Sequence, residues 1–454
     1  MPHSSIVHDL RSAHSADALL TGVPLPTLLY FALPIILGNI FQQLYSIVDA
    51  IVVGNFLGDL PLSGISVASP IVDVANALVI GGTIGVGVLC AHYCGAGEGE
   101  RLRCMNATAL LGGGALTLLI ALCGIFFSTP LLRAQGTEEA VCREAAVYLQ
   151  LVFAGLLFCF LYNYYAAMLR SCGNSRTPFL ILLLSSTLHA LLDVLFVGVF
   201  GWGIRGVAFS TVLCQALAAA ACILYAQRRC PPLLLRPANL RFDRQMAQLV
   251  LSYAWAAALQ QAVVCIGRLL VQGMLTPLGT STVTGYNMSL RTEQFLFCFS
   301  QGISAAMVVC LSQNLGHGDR PRARRFFHIS VLVELALIAL LGTVCFLFPA
   351  RIVGLFSDNA DVIAAGAQYT GAMAYLYVFA YLGEVIQGFF RGLGRLRLTM
   401  VASLLQVLLR VVLSYLLIPV WGMYGICAAV VSGWVLLVGI EGAYAVRKSS
   451  ALAA

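Results

Sequence analysis

Charge is scarce in this chain: 10% of its 454 residues are Asp, Glu, Lys or Arg, against 60% hydrophobic. So few charges cannot cover a soluble fold of that size, and the solvent for most side chains must be lipid. Long polar stretches are also missing, which leaves little chain for a soluble domain. There are no short segments of strictly alternating polarity, and this excludes a membrane β-barrel. No apolar stretch of signal-peptide length precedes Pro24, so no cleavable signal is expected. Most of the 15 cysteines sit singly inside apolar runs, where a thiol behaves as a small hydrophobe, and no disulfide framework follows. Cys90-Ala-His92-Tyr-Cys94 matches no zinc-ligand spacing. There is no aspartate-rich metal motif and no nucleophile with a base at a membrane face, so no cofactor is expected and a membrane-embedded transferase is a remote alternative.

What is present is a succession of apolar runs bounded by Gly, Pro and charge, each near the roughly 20 residues that a hydrocarbon core of about 30 Å requires. They predict helices at roughly 26–51, 63–92, 104–128, 145–169, 177–199 and 203–227, then at roughly 247–275, 284–312, 326–348, 366–390, 396–419 and 422–446. The fold class is therefore an all-α polytopic membrane protein with twelve transmembrane helices. The net charge of +7 lies in short clusters between apolar runs and not on one face, so it signals topology and not nucleic acid. Placing the chain start in the cytoplasm puts 19 of the 26 basic residues inside, which sets both termini in the cytoplasm of a cell membrane, inner or plasma.

An internal repeat appears at an offset of 221 residues. Gly58 meets Gly279, Gly64 meets Gly285, Gly81 meets Gly302, Gly95-Ala-Gly97-Glu98 meets Gly316-His-Gly318-Asp319, and Arg170 with Gly173 meets Arg391 with Gly394. Six helices per half is an even number, so the two six-helix bundles share one orientation and are related by a pseudo-two-fold axis along the membrane normal. The expected organisation is a cytoplasmic segment 1–25, an N-lobe 26–227, a proline-bearing connection 228–246, a C-lobe 247–446 and a tail 447–454. Such symmetry usually accompanies alternating access, and transport is the function it favours.

A charge near the bilayer centre costs about 3 kcal/mol or more, so each needs a partner or a task. The first half buries Asp49, Asp73 and Asp193 without a helix-interior Arg or Lys, whereas the second sets Arg268, Arg291 and Arg410 against Glu293, Glu334 and Glu384. At about 1.5 Å per residue, Asp49 and Asp193 both reach the outer half of the membrane, with His189 one turn below Asp193 and Thr211 at a similar level. Carboxylates gathered there can carry protons or, once ionised, ligate sodium. Pro34 breaks one backbone hydrogen bond of helix 1 and makes a bendable point, and glycines 81, 82, 85 and 87 let helix backbones approach. Arg268, Arg291 and Glu293 are expected to form an ion-pair network, or Glu293 faces a cleft and draws a cationic substrate.

The chain resembles the multidrug and toxic compound extrusion (MATE) family, within it the DinF-like branch that includes the staphylococcal MepA type. The resemblance rests on Phe31-Ala-Leu-Pro34 followed by Asp49-Ala-Ile-Val-Val-Gly54, on Gly95-Ala-Gly97-Glu98, Arg170-Ser-Cys-Gly173-Asn174, Trp202-Gly203 through Gly206, and Gln313-Asn314-Leu-Gly316. It implies two lobes around a V-shaped cavity, exporting organic cations and drugs in exchange for H+ or Na+. By resemblance the cation site falls on Asp49, Asp193 and Thr211 with Tyr148, the bending proline on Pro34, and substrate contacts on Glu293 and Arg291; Asp73 and Arg268 are further candidate substrate contacts. His189 stands where relatives usually carry asparagine, and an imidazole carries protons but is an unusual sodium ligand. The expected partners are small-molecule substrates and the lipid bilayer, with no nucleic acid, for a monomer. The alternative within the superfamily is a flippase for a lipid-linked precursor, which Arg268, Arg291 and Arg410 would serve.

Overall fold

The computed structural model describes residues 16–233 and 242–447, except for the side chains of a few helical residues, Asp49 among them. The expected N-terminal segment before Ala16, part of the 228–246 connection and the tail beyond 447 lie outside the described residues. Among the described residues there is no strand. The elements are α1 (Ala16–Thr21), α2 (Pro24–Leu57), α3 (Asp59–Ala96), α4 (Gly99–Ala134), α5 (Glu139–Ala154), α6 (Leu156–Ser171), α7 (Arg176–Asp193), α8 (Ile204–Arg229), α9 (Arg244–Gly273), α10 (Thr280–His317), α11 (Arg320–Leu347), α12 (Pro349–Val353), α13 (Ala360–Met373), α14 (Tyr377–Gly392), α15 (Leu396–Trp421) and α16 (Met423–Arg447). Ten helices are long and apolar enough to cross a membrane, and twelve spans result when the bent pairs α5–α6 and α13–α14 each count as one. The chain is a multi-pass, all-α membrane protein.

The repeat is written into the backbone. Helix α3 (Asp59–Ala96) and helix α10 (Thr280–His317) have the same 38 residues at the offset of 221, and the bend of 45° between α5 and α6 recurs as 57° between α13 and α14. Four glycine pairs at that offset turn the chain with positive φ: Gly58 and Gly279 (74° and 92°), Gly97 and Gly318 (69° and 88°), Gly173 and Gly394 (90° and 74°), Gly201 and Gly422 (65° and 55°). A side chain is strained in that region, so the register survives where only glycine closes a helix cheaply.

Two expectations change. The single helices predicted at 145–169 and 366–390 are each broken, at Gly155 and at residues 374–376. A Cβ at Gly155 would sit 2.4 Å from Val212 Cγ2, so the bend lets α8 press against the break. Helices α3 and α10 also run longer than the predicted 63–92 and 284–312; 38 residues span roughly 57 Å, more than the hydrocarbon core.

The chain divides into two compact units. Unit 1 holds Leu33–Ala262 with Ser312–Gly318 and the piece ending at Gly22, and unit 2 holds Val23–Ala32, Val263–Leu311 and the chain from Asp319 on. Pro34 lies inside the unbroken α2, at the start of its part in unit 1. The core of unit 1 gathers residues of α3 to α6 and α8, including Met105, Leu149, Tyr164 and Met168. The expectation that glycines 81, 82, 85 and 87 serve packing holds at Gly81 and Gly85, where a Cβ would fall 2.6 Å from the Ala257 carbonyl oxygen and 2.4 Å from that of Tyr253, but not at Gly82, where it would meet nothing within 4 Å.

Candidate functional site

Within unit 1, α7 ends at Asp193 and passes into a π-helical turn at Val194–Val199, the looser winding that often marks functional sites. The wider turn is capped by Phe196 stacked on Trp202, with ring centroids 4.9 Å apart and planes at 9°. Asp193 and His189, four residues apart on α7, share one face. His189 Nδ1 lies 2.7 Å from Asp193 Oδ2, and its other ring nitrogen, Nε2, lies 2.9 Å from Thr211 Oγ1 on α8. Ser210 donates a short hydrogen bond to Asp193 Oδ1. Both charged groups are shut away from solvent, Asp193 at 1% and His189 at 3% exposure.

The side chain of Asp49 falls outside the described residues, but its place on α2 follows from the packing around it. Gly38 faces Leu182, Phe41 faces Phe179, Val53 packs with Val197, and Gly198 faces Phe56. These pairs run in step, so α2 and α7 lie side by side and parallel, and position 49 falls at about the level of positions 190–193. Val53, Val197 and Val207 form a cluster with Tyr148 packed on it. Each of these three valines stands four residues, about one turn, from a site position: 49, 193 and 211.

This arrangement admits two proton counts without moving a heavy atom. With Nε2 bare, the Thr211 hydroxyl donates to it while Nδ1 carries the ring proton within ion-pair distance of Asp193. With one proton more, Nε2–H donates to Thr211, whose own hydrogen turns to the Val207 carbonyl oxygen, 2.9 Å away. Sodium fits this set less well, because it seeks several oxygen ligands and both Asp193 oxygens already face a partner in Ser210 and His189.

In unit 2 the sequence-predicted residues behave differently. Glu293 is 6% exposed, and its Oε2 accepts from Tyr377 at 3.2 Å and from Tyr369 at 3.4 Å. Among the described residues no arginine lies within ion-pair distance of it, so the expected network of Arg268, Arg291 and Glu293 does not form. The reason is periodicity: residues two apart point to opposite sides of a helix, and Arg291 is exposed where Glu293 is buried. Arg268 is exposed too, and Arg410 donates from Nη2 to Tyr286 at 3.5 Å. The acid expected to balance those arginines, Glu384, instead pairs with Arg391 at 2.6 Å. Glu293 sits among Tyr286, Tyr369, Tyr377, Phe297 and Trp434, whose rings meet in edge and tilted contacts. Asp73 lies on the exposed side of α3 in unit 1.

Sequence reasoning missed Ser210, although it adjoins Thr211, and the tyrosines that hold Glu293, which no local pattern marks. The structure brings together His189, Asp193 and Thr211, and packs Tyr148 on the neighbouring valine cluster.

Comparison with known proteins follows the same division. The profile of the family described as MatE matches residues 34–195 and again 256–416. A probable multidrug resistance protein of Bacillus subtilis, YpnP, is 27% identical over 85% of this chain and 86% of its own length. An FAD transporter of Shewanella oneidensis is 26% identical over 74% of this chain and 75% of its own. The solved structure of a MOP superfamily transporter from Pyrococcus furiosus, described as suggesting a different function from the reverse polarity of its binding pocket, superposes with a TM-score of 0.89. It covers 96% of this chain and 98% of its own at 19% identity, a likeness of fold.

Proposed function

This chain belongs to the MatE family and is a transporter and not an enzyme, and from that premise we propose that it exports small organic cations in exchange for protons loaded at Asp193 and His189. The observation that carries the reading is a buried imidazole hydrogen-bonded through Nε2 to a hydroxyl at 2.9 Å, with Nδ1 2.7 Å from a carboxylate oxygen. A fixed ring of this kind gains or loses one proton with no rearrangement beyond a turning hydroxyl. In this reading Asp49, on the neighbouring helix α2, and Tyr148 complete the coupling site.

Coupling requires that the proton favour one of two conformations over the other. Loading from outside neutralises the buried charge at Asp193 and favours bending of α2 at Pro34, which closes the binding space and releases substrate outward. Exchange of one proton for one monovalent cation moves no net charge, so the pH difference drives it, at about 1.4 kcal/mol or a tenfold substrate gradient per pH unit.

For the substrate, Glu293 ringed by Tyr369, Tyr377, Phe297 and Trp434 offers a carboxylate among aromatic faces, a set that favours an organic cation. Its phenolic partners are the groups a cation displaces on binding. Arg291, Arg268 and Asp73, exposed on their units, are secondary contacts. A second reading, an anionic substrate or lipid-linked precursor, draws on Arg410, buried with its Nε lacking a hydrogen-bond partner among the described residues, and on the FAD-transporting relative. The cell membrane, cytoplasmic termini, two lobes joined through 228–246 and a monomer complete the proposal.

Proteoliposomes with independently imposed proton and sodium gradients, offered a panel of lipophilic cations and anions, test it. Accumulation of cations on the proton gradient alone is expected. Transport driven by sodium alone would sink the proton assignment, and transport of anions alone would favour the second reading.

A further inference from the structure

The end of α3 in unit 1 carries a group of side chains that transport does not use. Cys90 and Cys94 stand one turn apart on one face of α3, and Cys172 follows the last residue of α6. Their three Sγ atoms all lie within 4.8 Å of one another, and the Sγ atoms of Cys94 and Cys172 are 3.3 Å apart. The approach is built in. Ser171 donates to the Gly87 carbonyl at 2.8 Å, and Gln313 donates to the Ser171 carbonyl at 2.6 Å, so the end of α6 is clamped against α3.

We propose that Cys90, Cys94 and Cys172 form a trigonal, all-thiolate site for a soft monovalent cation, Cu(I). Three sulfurs around a central ion at about 2.3 Å each would be about 4 Å apart, which these positions reach with a small spread of the closest pair. The donor set selects the ion. No nitrogen or oxygen ligand belongs to it, and His92 points to the exposed side of α3. Cys230 packs on the same core but stands outside the triad. Zinc prefers four ligands in tetrahedral array, whereas soft thiolates alone suit monovalent copper. Cys90 is fully buried and the other two are half-buried, so an ion enters past Cys94 and Cys172. Flanking Arg101, Arg103, Arg170 and Arg176 put this end in the cytoplasm by the orientation read above, where thiols stay reduced. Each thiol that coordinates gives its proton to solvent, so uptake strengthens as pH rises.

The test is an anaerobic competition in which the purified full-length protein, reduced and in detergent, takes Cu(I) from a chromophoric chelator. One Cu(I) per chain is expected. Cys172→Ser and Cys94→Ser, both at half-buried positions, should weaken retention by at least roughly tenfold, because losing a direct ligand costs no less than losing an outer-shell partner. Cys345→Ser, at an isolated buried cysteine of unit 2, should not. In the unaltered protein, Cu(I) should shield Cys94 and Cys172 from maleimide labelling, a readout that needs no variant. Equal retention by unaltered protein and Cys172→Ser, or labelling unchanged by Cu(I), would overturn the site.

Discussion

The two units bury their acids in opposite ways. In unit 1 Asp193 meets a group that can itself take up a proton, the imidazole of His189, and hydroxyls complete the set. In unit 2 Glu293 is held by two phenols, and the arginines nearest it in sequence and depth are exposed or turned to Tyr286. Elsewhere in unit 2, Glu334 and Glu441 are fully buried, and among the described residues the Glu441 oxygens have no hydrogen-bond partner. On the proposed function, the arrangement at Asp193 serves proton exchange and that at Glu293 receives a cation. The repeat thus supplies two copies of one scaffold with different chemistry in each.

The comparison breaks most sharply at Asp193. Asp193→Asn should abolish accumulation on a proton gradient while the protein still folds and binds substrate, measured by dye uptake in everted vesicles together with binding in detergent. His189→Asn is next: replacing the ring by an amide should cut proton-driven accumulation by about tenfold or more, in line with the loss of a positioned proton carrier. If that variant keeps full proton-driven activity, the imidazole is only a spacer.

Unit 2 should respond in affinity and not in coupling. Glu293→Gln should weaken binding of a lipophilic cation by about tenfold, roughly 1.4 kcal/mol, with the response to the proton gradient retained. Tyr377→Phe removes one hydrogen bond to that carboxylate and should lower stability by about 1.5 kcal/mol, read as a shift in thermal unfolding. Arg291→Gln, at an exposed position, should change affinity by less than about twofold. A large effect there would restore the ion-pair network that the structure replaces with tyrosines.

Much of this division is legible in the chain. Helix existence, the 221-residue repeat and the His189–Asp193 pair all follow from local spacing, because residues four apart on a helix must meet. What spacing hides is tertiary. Tyr369 and Tyr377 come to Glu293 from 76 and 84 residues away, and Cys172 reaches Cys94 across 78. Ser210 reaches Asp193 from the neighbouring helix, past a π-helical turn that no composition announces. The opposite faces of Arg291 and Glu293, by contrast, were readable from periodicity, and the ion-pair expectation overlooked it. The breaks at Gly155 and at residues 374–376 carry only a weak signal, since glycine is frequent throughout the chain.

The most direct measurement is proton release on substrate binding, followed with a pH indicator in weakly buffered detergent solution. If cation and proton compete through Asp193 and His189, adding a lipophilic cation should expel about one proton per chain, by the reciprocity of linked binding. Asp193→Asn should bind the cation and expel none. Binding without proton release in the unaltered protein, or the same release from Asp193→Asn, would contradict the account.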